Sequence, residues 1–408
     1  MTLLRVFALA LLLTAAFASA DAAFAQVAVR GETVYTMAGP PIKDGVVLIR
    51  DGKIEQVGPA SQVKIPNGYK TLTAKVVTPG LIDAHTVVGL AGYLNQPHDQ
   101  DQLETSAPMQ PELRAIDAYN SRERLVEWLR GFGVTTIHTG HAPGSLMSGQ
   151  TMIVKTREVA ADGAVLSPSA MITVTLGSAG LAQGGKSPGT RSKAIAMLRA
   201  ELLKAQDYER KQRTAPEDKK PERNLRMDAL ARVIRGEVPL LVTAHRADDI
   251  LSALRVAKEF NIKVVLDGAA ESYLVIDQIK AANVPVLLHA TMQRAGGEAE
   301  NLSMETAAKL RKAGIPFALQ SGYEGYVPKT RVALFEAAVA AANGLTFEEA
   351  LAAITIDAAK ILGVASRVGS LEKGKDGDVA LFDGDPFEYT THTVGVVLDG
   401  QIVSQEAR

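Results

Sequence analysis

The 408-residue chain carries 44 Lys and Arg against 45 Asp and Glu, a formal net charge of −1, with 47% hydrophobic and 5% aromatic residues. That length buries a large core, enough for one barrel-type domain with a smaller satellite. The near-neutral charge and scarce aromatics give no footprint for nucleic acid or an anionic membrane. With no cysteine there is no disulfide or thiolate, so a transition metal would rely on carboxylates and the seven histidines.

In chain order, Arg5 precedes an apolar run, Val6 to Ala18, and Ala23-Phe24-Ala25 fits a small-x-small cleavage site. The run is shorter than the roughly 20 residues of a membrane span. Residues 1–25 are therefore expected to be an export signal and the mature chain to be periplasmic; an uncleaved anchor is the alternative. Cleavage removes Arg5 and Asp21 together, so the formal charge stays at −1.

Residues 26–78 alternate short apolar runs with turn residues. Gly45–Arg50, Asp51-Gly52 and Lys53–Gly58 read as a hairpin, because Asp-Gly supplies the positive φ angles of a two-residue turn. Beyond them, Val134–His138, Val238–Ala244, Ile262–Leu266, Val284–Leu288 and Ile315–Leu319 are short apolar strands. Several follow helices that stop at Gly133, Asn261, Asn283 or Gly314. Strands spaced by one helix each predict an α/β fold with a parallel sheet, best closed as a (β/α)8 barrel; a doubly wound open sheet is the runner-up. Residues 185–224, rich in Lys, Arg and Glu, predict a solvated helical insertion. The C-terminus returns to strands at Asp378–Asp383, Val394–Leu398 and Gln401–Val403.

Pro79-Gly80-Leu81-Ile82-Asp83-Ala84-His85-Thr86-Val87 resembles the first barrel strand of the amidohydrolase superfamily, the imidazolonepropionase-like, metal-dependent hydrolases of C–N bonds. Val368 to Asp378 is similar to the same family's return into its terminal β segment. The resemblance implies a TIM-like barrel over 79–363 and a small β-sandwich built from 26–78 and 364–408. It also implies a small-molecule substrate, one divalent ion with zinc foremost, and ligands at the strand ends. A homo- or hetero-oligomer is compatible with it.

Carried over position by position, His85 and His245 are the candidate metal ligands, with Asp267 and His138 as weaker ones and His141 and His289 as substrate contacts. The pattern departs at three places. Val87 stands where the family's second histidine belongs, Asp267 where the sixth strand supplies a histidine, and Gln320-Ser321 where the eighth supplies Asp. Ser321 is too weak a base to replace that carboxylate, and Glu324 lies three residues on. No catalytic residue is assigned. Lys155 stands early for a carboxylated lysine of strand four, and His98 sits in a loop with Asp99 and Asp101. Asp248 and Asp249 are expected to cap the helix after His245. Gly144–Gly149 does not have the Gly-x-Ser-x-Gly form of a serine nucleophile. Two functions stay open: hydrolysis by metal-activated water, and a non-catalytic barrel that binds a ligand or a partner subunit.

Overall fold

The computed structural model describes residues 26–94, 96–182, 184–289, 291–323 and 332–408; residues 1–25, expected to be an export signal, and Glu324 lie outside the described residues. The first strands are β1 (Val27–Val34), β2 (Ile42–Arg50), β3 (Lys53–Pro59) and β4 (Lys70–Pro79). The last are β15 (Val379–Phe382), β16 (Thr393–Leu398) and β17 (Gln401–Ser404). They form one seven-stranded sheet in the order β17-β16-β15-β4-β1-β2-β3. The hairpin at Asp51-Gly52 forms as expected, with φ of 52° and 76°. The two chain ends join because β15 pairs antiparallel with β4, Val379 opposite Pro79.

Gly80 carries the chain into β5 (Leu81–Thr86), followed by β6 (Val134–Thr139), β7 (Met147–Gln150), β8 (Met152–Lys155), β9 (Val165–Ser167) and β10 (Ile172–Thr175). Then come β11 (Leu240–Ala244), β12 (Val264–Gly268), β13 (Val286–Leu288) and β14 (Phe317–Leu319). Two sheets result, β14-β13-β12-β11-β10-β7 and β5-β6-β8-β9, and the outer strands β14 and β5 meet at a Thr86–Gly322 bridge. From β10 to β14 every pair is parallel. The expectation of a uniformly parallel sheet fails at β7 and β8, which run antiparallel to β10 and β6. The segment between β6 and β8 is too short for a helical crossover, so the chain returns as a hairpin-like strand.

The helices end where the sequence predicts. Asn261, Asn283 and Gly314 take left-handed φ of 52°, 52° and 73° at their C-caps. The charged stretch 185–224 contains the helix Arg191–Thr214, as expected. Asp248 and Asp249 do not cap the helix Ala247–Phe260. Glu271 accepts from the Ala247 N–H at 2.7 Å instead, and Asp249 takes the Arg191 guanidinium at 3.1 Å.

Alternation along the parallel strands sorts the core. Leu240, Val242, Leu266 and Phe317 pack outward with helix residues such as Leu254 and Ile279. Their neighbours Leu241, Val265, Leu287 and Ala318 pack inward with Ile82, Ile153 and Ala358. Two residues further along, on the same inward face, stand Thr243, Asp267, His289 and Gln320. A polar layer therefore sits directly on an apolar one.

Candidate functional site at the strand ends

The polar layer is organised around Asp267, fully enclosed at the end of β12. Its Oδ1 accepts from His85 Nδ1 and from Gln320 Nε2, both at 2.8 Å, and its Oδ2 accepts from Thr243 Oγ1 at 2.6 Å. The β5–β6 ladder supplies the reach. Asp83 faces Ile137 and Thr86 faces Thr139, so β5 holds one extra residue and the bulge re-aims the chain at His85. Burial opposes the charged forms, yet the ion pair prevails: His85 is raised and Asp267 lowered to about 2. With Nδ1–H given to Asp267, His85 Nε2 is buried without a partner.

His138 takes a different role. Its Nδ1 donates to the Ala84 carbonyl at 2.7 Å, and its Nε2 accepts from Thr151 Oγ1 at 2.6 Å while that oxygen accepts from the Met171 N–H. Both nitrogens are spent, and burial, aided by the nearby His85, pushes the ring down to about 3. His245 follows β11, with Nδ1 buried and unpartnered and burial lowering its pKa. His141 lies beyond β6, 5% exposed, with neither ring nitrogen bonded; burial lowers it to about 4. His289 is buried after β13, its N–H donating to Gly268 O at 2.8 Å.

The remaining sequence candidates have other work. His98 is exposed in a short turn. Lys155 is buried at the opposite end of the sheet, its Nζ 2.6 Å from Asp376, 2.9 Å from Asp378 and paired with Asp399. It cannot serve there as a carboxylated ligand. Ser145 and Ser148 hydroxyls donate to backbone carbonyls of Glu104 and Ala142. Val87 is 1% exposed and packs with Ala91, Ala142, Leu103 and Tyr323, so the absent second histidine is replaced by an apolar contact.

Sequence reading passed over Asp83, although it lies in the motif that named the family. Its carboxylate takes the Ser321 N–H at 2.9 Å and hydroxyl at 2.5 Å, fastening β5 to the end of β14. Burial raises it to about 6 against those bonds. The i, i+2 spacing from His85 was the available signal.

The donor set does not fit a resident metal centre. A catalytic zinc takes about three protein ligands. Both ring nitrogens of His138 are bonded, Asp267 already accepts three hydrogen bonds, and Gln320 presents an amide already bonded to Asp267 and to Leu287 O. Among the described residues the one trio of His, Asp or Glu ligand atoms within 4.8 Å of one another is Asp376, Asp378 and Asp399, where the Lys155 ammonium already sits. His85 Nε2 and His245 Nδ1 are too few.

This layer of imidazoles and a buried carboxylate lies at the carboxyl ends of the parallel strands of an α/β protein. Comparison with known proteins supplies the family. The amidohydrolase family model matches residues 89–404, and the chain belongs to the amidohydrolase family. The matched span begins just after His85. The chain is 24% identical over 399 residues to the amidohydrolase tasK of Hapsidospora irregularis, across 87% of this chain and 39% of that protein. The chain thus spans about two fifths of that relative's length. It is 24% identical over 419 residues to an imidazolonepropionase of Solibacter usitatus, across 91% and 96% of the two. An amidohydrolase structure from Thermotoga maritima superposes with a TM-score of 0.88 at 29% identity, covering 93% of this chain and all of that one. A structure from Bifidobacterium longum shares the fold at a TM-score of 0.58 and 20% identity.

Proposed function

We propose that the protein hydrolyses a C–N bond of a small molecule at the strand-end layer, with the His85–Asp267 pair moving the proton. The observation that carries this is His85 itself: Nδ1 fixed by a buried carboxylate, Nε2 buried and unpartnered. Asp267 sets the tautomer and raises the affinity of Nε2 for a proton. Nε2 takes a proton from water as its oxygen adds to the carbonyl carbon, then returns it to the departing nitrogen as the C–N bond breaks. Family membership and relatives named imidazolonepropionase and amidohydrolase support this reaction class. The ion of the usual family mechanism is not carried over, since the donors do not fit it.

In the same reading the two inner sheets are a TIM-like barrel interrupted by the reversed strands β7 and β8, spanning 79–363. The terminal sheet of 26–78 and 364–408 is its satellite, and residues 1–25 export the chain to the periplasm. Gln320 favours a second function, ligand binding without turnover, because an amide stands where the family places its base. The test is turnover of a panel of cyclic and linear amides by the mature protein and by His85→Gln, with metal content measured on both. Turnover by wild type alone, from a metal-free preparation, supports hydrolysis by the pair. Ligand retention without turnover in either supports the binding reading. Activity that tracks a stoichiometric metal overturns the metal-free route.

A further inference from the structure

The end of the parallel sheet opposite the polar layer carries a cleft of 990 Å³ that takes no part in the proton transfer. It lies between the helices Ala247–Phe260 and Ile276–Ala282, over the first residues of β12 and β13. Its floor is aliphatic: Leu254, Ile262, Val264, Val265 and Val284. These residues keep 4–8% of their surface exposed, whereas Leu266, Val286 and Leu287, further along the same strands, are sealed at 0%. The residual exposure is thus gathered at the cleft. One wall carries the small, exposed residues Ala281 and Ala282, which leave the space open.

The charge around this floor has one sign. Arg255, Lys258 and Lys263 line the cleft, and no Asp or Glu does. Arg255 and Lys258, three residues apart on one helix, share a face. Lys263 Cε lies 3.9 Å from where a Cβ on Gly236 would stand. The nearby carboxylates are spent elsewhere, Glu259 on Arg199 at 2.8 Å and Glu237 on Arg235 at 2.6 Å. Among the described residues none of the three cations has a carboxylate partner; Arg255 gives one N–H to Ser252 Oγ at 2.7 Å. Lys258 also answers the carbonyls at the end of its helix, a role that Lys263, beyond the helix, does not have.

We propose that this cleft binds a single-chain aliphatic carboxylate of the fatty-acid class, its chain on the aliphatic floor and its head group among Arg255, Lys258 and Lys263. An apolar floor edged by unpaired cations matches a molecule that is apolar along its length and anionic at one end, and charge-assisted hydrogen bonds from Lys and Arg to a carboxylate fix that end. The volume lies at the upper end of the ~300–1,000 Å³ of small-molecule sites. A recessed floor suits one inserted chain better than the broad face of a protein partner. The cleft is separate from the strand-end layer, so the inference does not depend on C–N bond hydrolysis there.

The test titrates the purified protein with dodecanoate below its micellar concentration, with dodecylammonium and dodecanol as controls, by isothermal titration calorimetry. Dodecanoate is expected to saturate at one molecule per chain, dodecanol to bind at least tenfold more weakly, and dodecylammonium not to bind. The double variant Lys258→Gln, Lys263→Gln should weaken dodecanoate at least tenfold, and Ala281→Trp, changed at an exposed position, should block the space and abolish binding at an unaltered melting temperature. His85→Gln should bind as wild type does. No binding by wild type, equal binding of the ammonium, undiminished binding by the double variant, or uptake that never saturates overturns the proposal. So does a wild type that sediments as a dimer and becomes a monomer in Ala281→Trp, since the cleft is then covered by a second copy of the chain.

Discussion

Replacing Asp267 by Asn removes one oxygen acceptor and one buried charge while keeping the shape. The wild-type carboxylate is lowered from 3.8 to about 2. At about 1.36 kcal/mol per pKa unit, that difference is on the order of 2 kcal/mol of stability at neutral pH. Removing one partner of a buried pair costs about 3–5 kcal/mol, since His85 and the Thr243 and Gln320 donors lose their common acceptor. A loss of ~3 kcal/mol is expected at pH 7, a fall in melting temperature on the order of 5 °C for a chain of this size. Because the folded pKa lies below the unfolded one, the carboxylate's contribution is fully present above about pH 4 and fades as pH falls towards 2. The deficit of Asp267→Asn should therefore persist from pH 7 down to 5, and widen on the way because His85 is raised in wild type and lowered in the variant, as read by scanning calorimetry. His85, relieved of its counter-charge, should drop below its ordinary pKa under burial alone, followed by NMR of the ring protons. A variant within about 1 kcal/mol of wild type at pH 7, or an unchanged His85 titration, refutes the claim that Asp267 anchors the layer.

Two further outcomes follow from buried charges. Asp83 has the opposite sign: its folded pKa of about 6 exceeds 3.8, so its contribution is fully present below about pH 4 and lost as pH rises through 6. Asp83→Asn should be relatively more stable, against wild type, at pH 7 than at pH 4.5; a difference independent of pH in urea titrations counts against this. Lys155→Met would leave Asp376, Asp378 and Asp399 without their shared ammonium and should cost at least about 3 kcal/mol, with Lys155→Arg less damaging. Unchanged thermal unfolding of Lys155→Met would remove the cluster from the list of joints between the inner sheets and the terminal one.

Much of the fold was legible because its signals are local. Asp51-Gly52 turns where the sequence says, and Asn261, Asn283 and Gly314 end helices by taking left-handed φ, a choice made by the residue and its immediate neighbours. The reversed strands were not legible. Met147-Ser148-Gly149-Gln150 carries no apolar strand pattern, Met152–Lys155 is a short apolar run like many others, and the direction of both depends on how the chain crosses after β6. Period-two alternation puts Asp267 two residues from Val265 and Gln320 two from Ala318, so the polar layer was readable strand by strand. Which of its members bond together was not.

The chain's own order settled several helix ends, the strands β6 and β11 to β14, the hairpin and the family, through short-range propensity, capping and motif. Tertiary structure alone decided what each polar side chain does. Asp267 orients His85 instead of standing open to a metal, because Thr243 and Gln320 arrive from strands far off in sequence to fill its oxygens. Lys155 is a joint to the terminal sheet because its strand runs backwards. A side chain's chemistry is fixed by which lone pairs and protons remain unspent, and that depends on partners brought together only by folding.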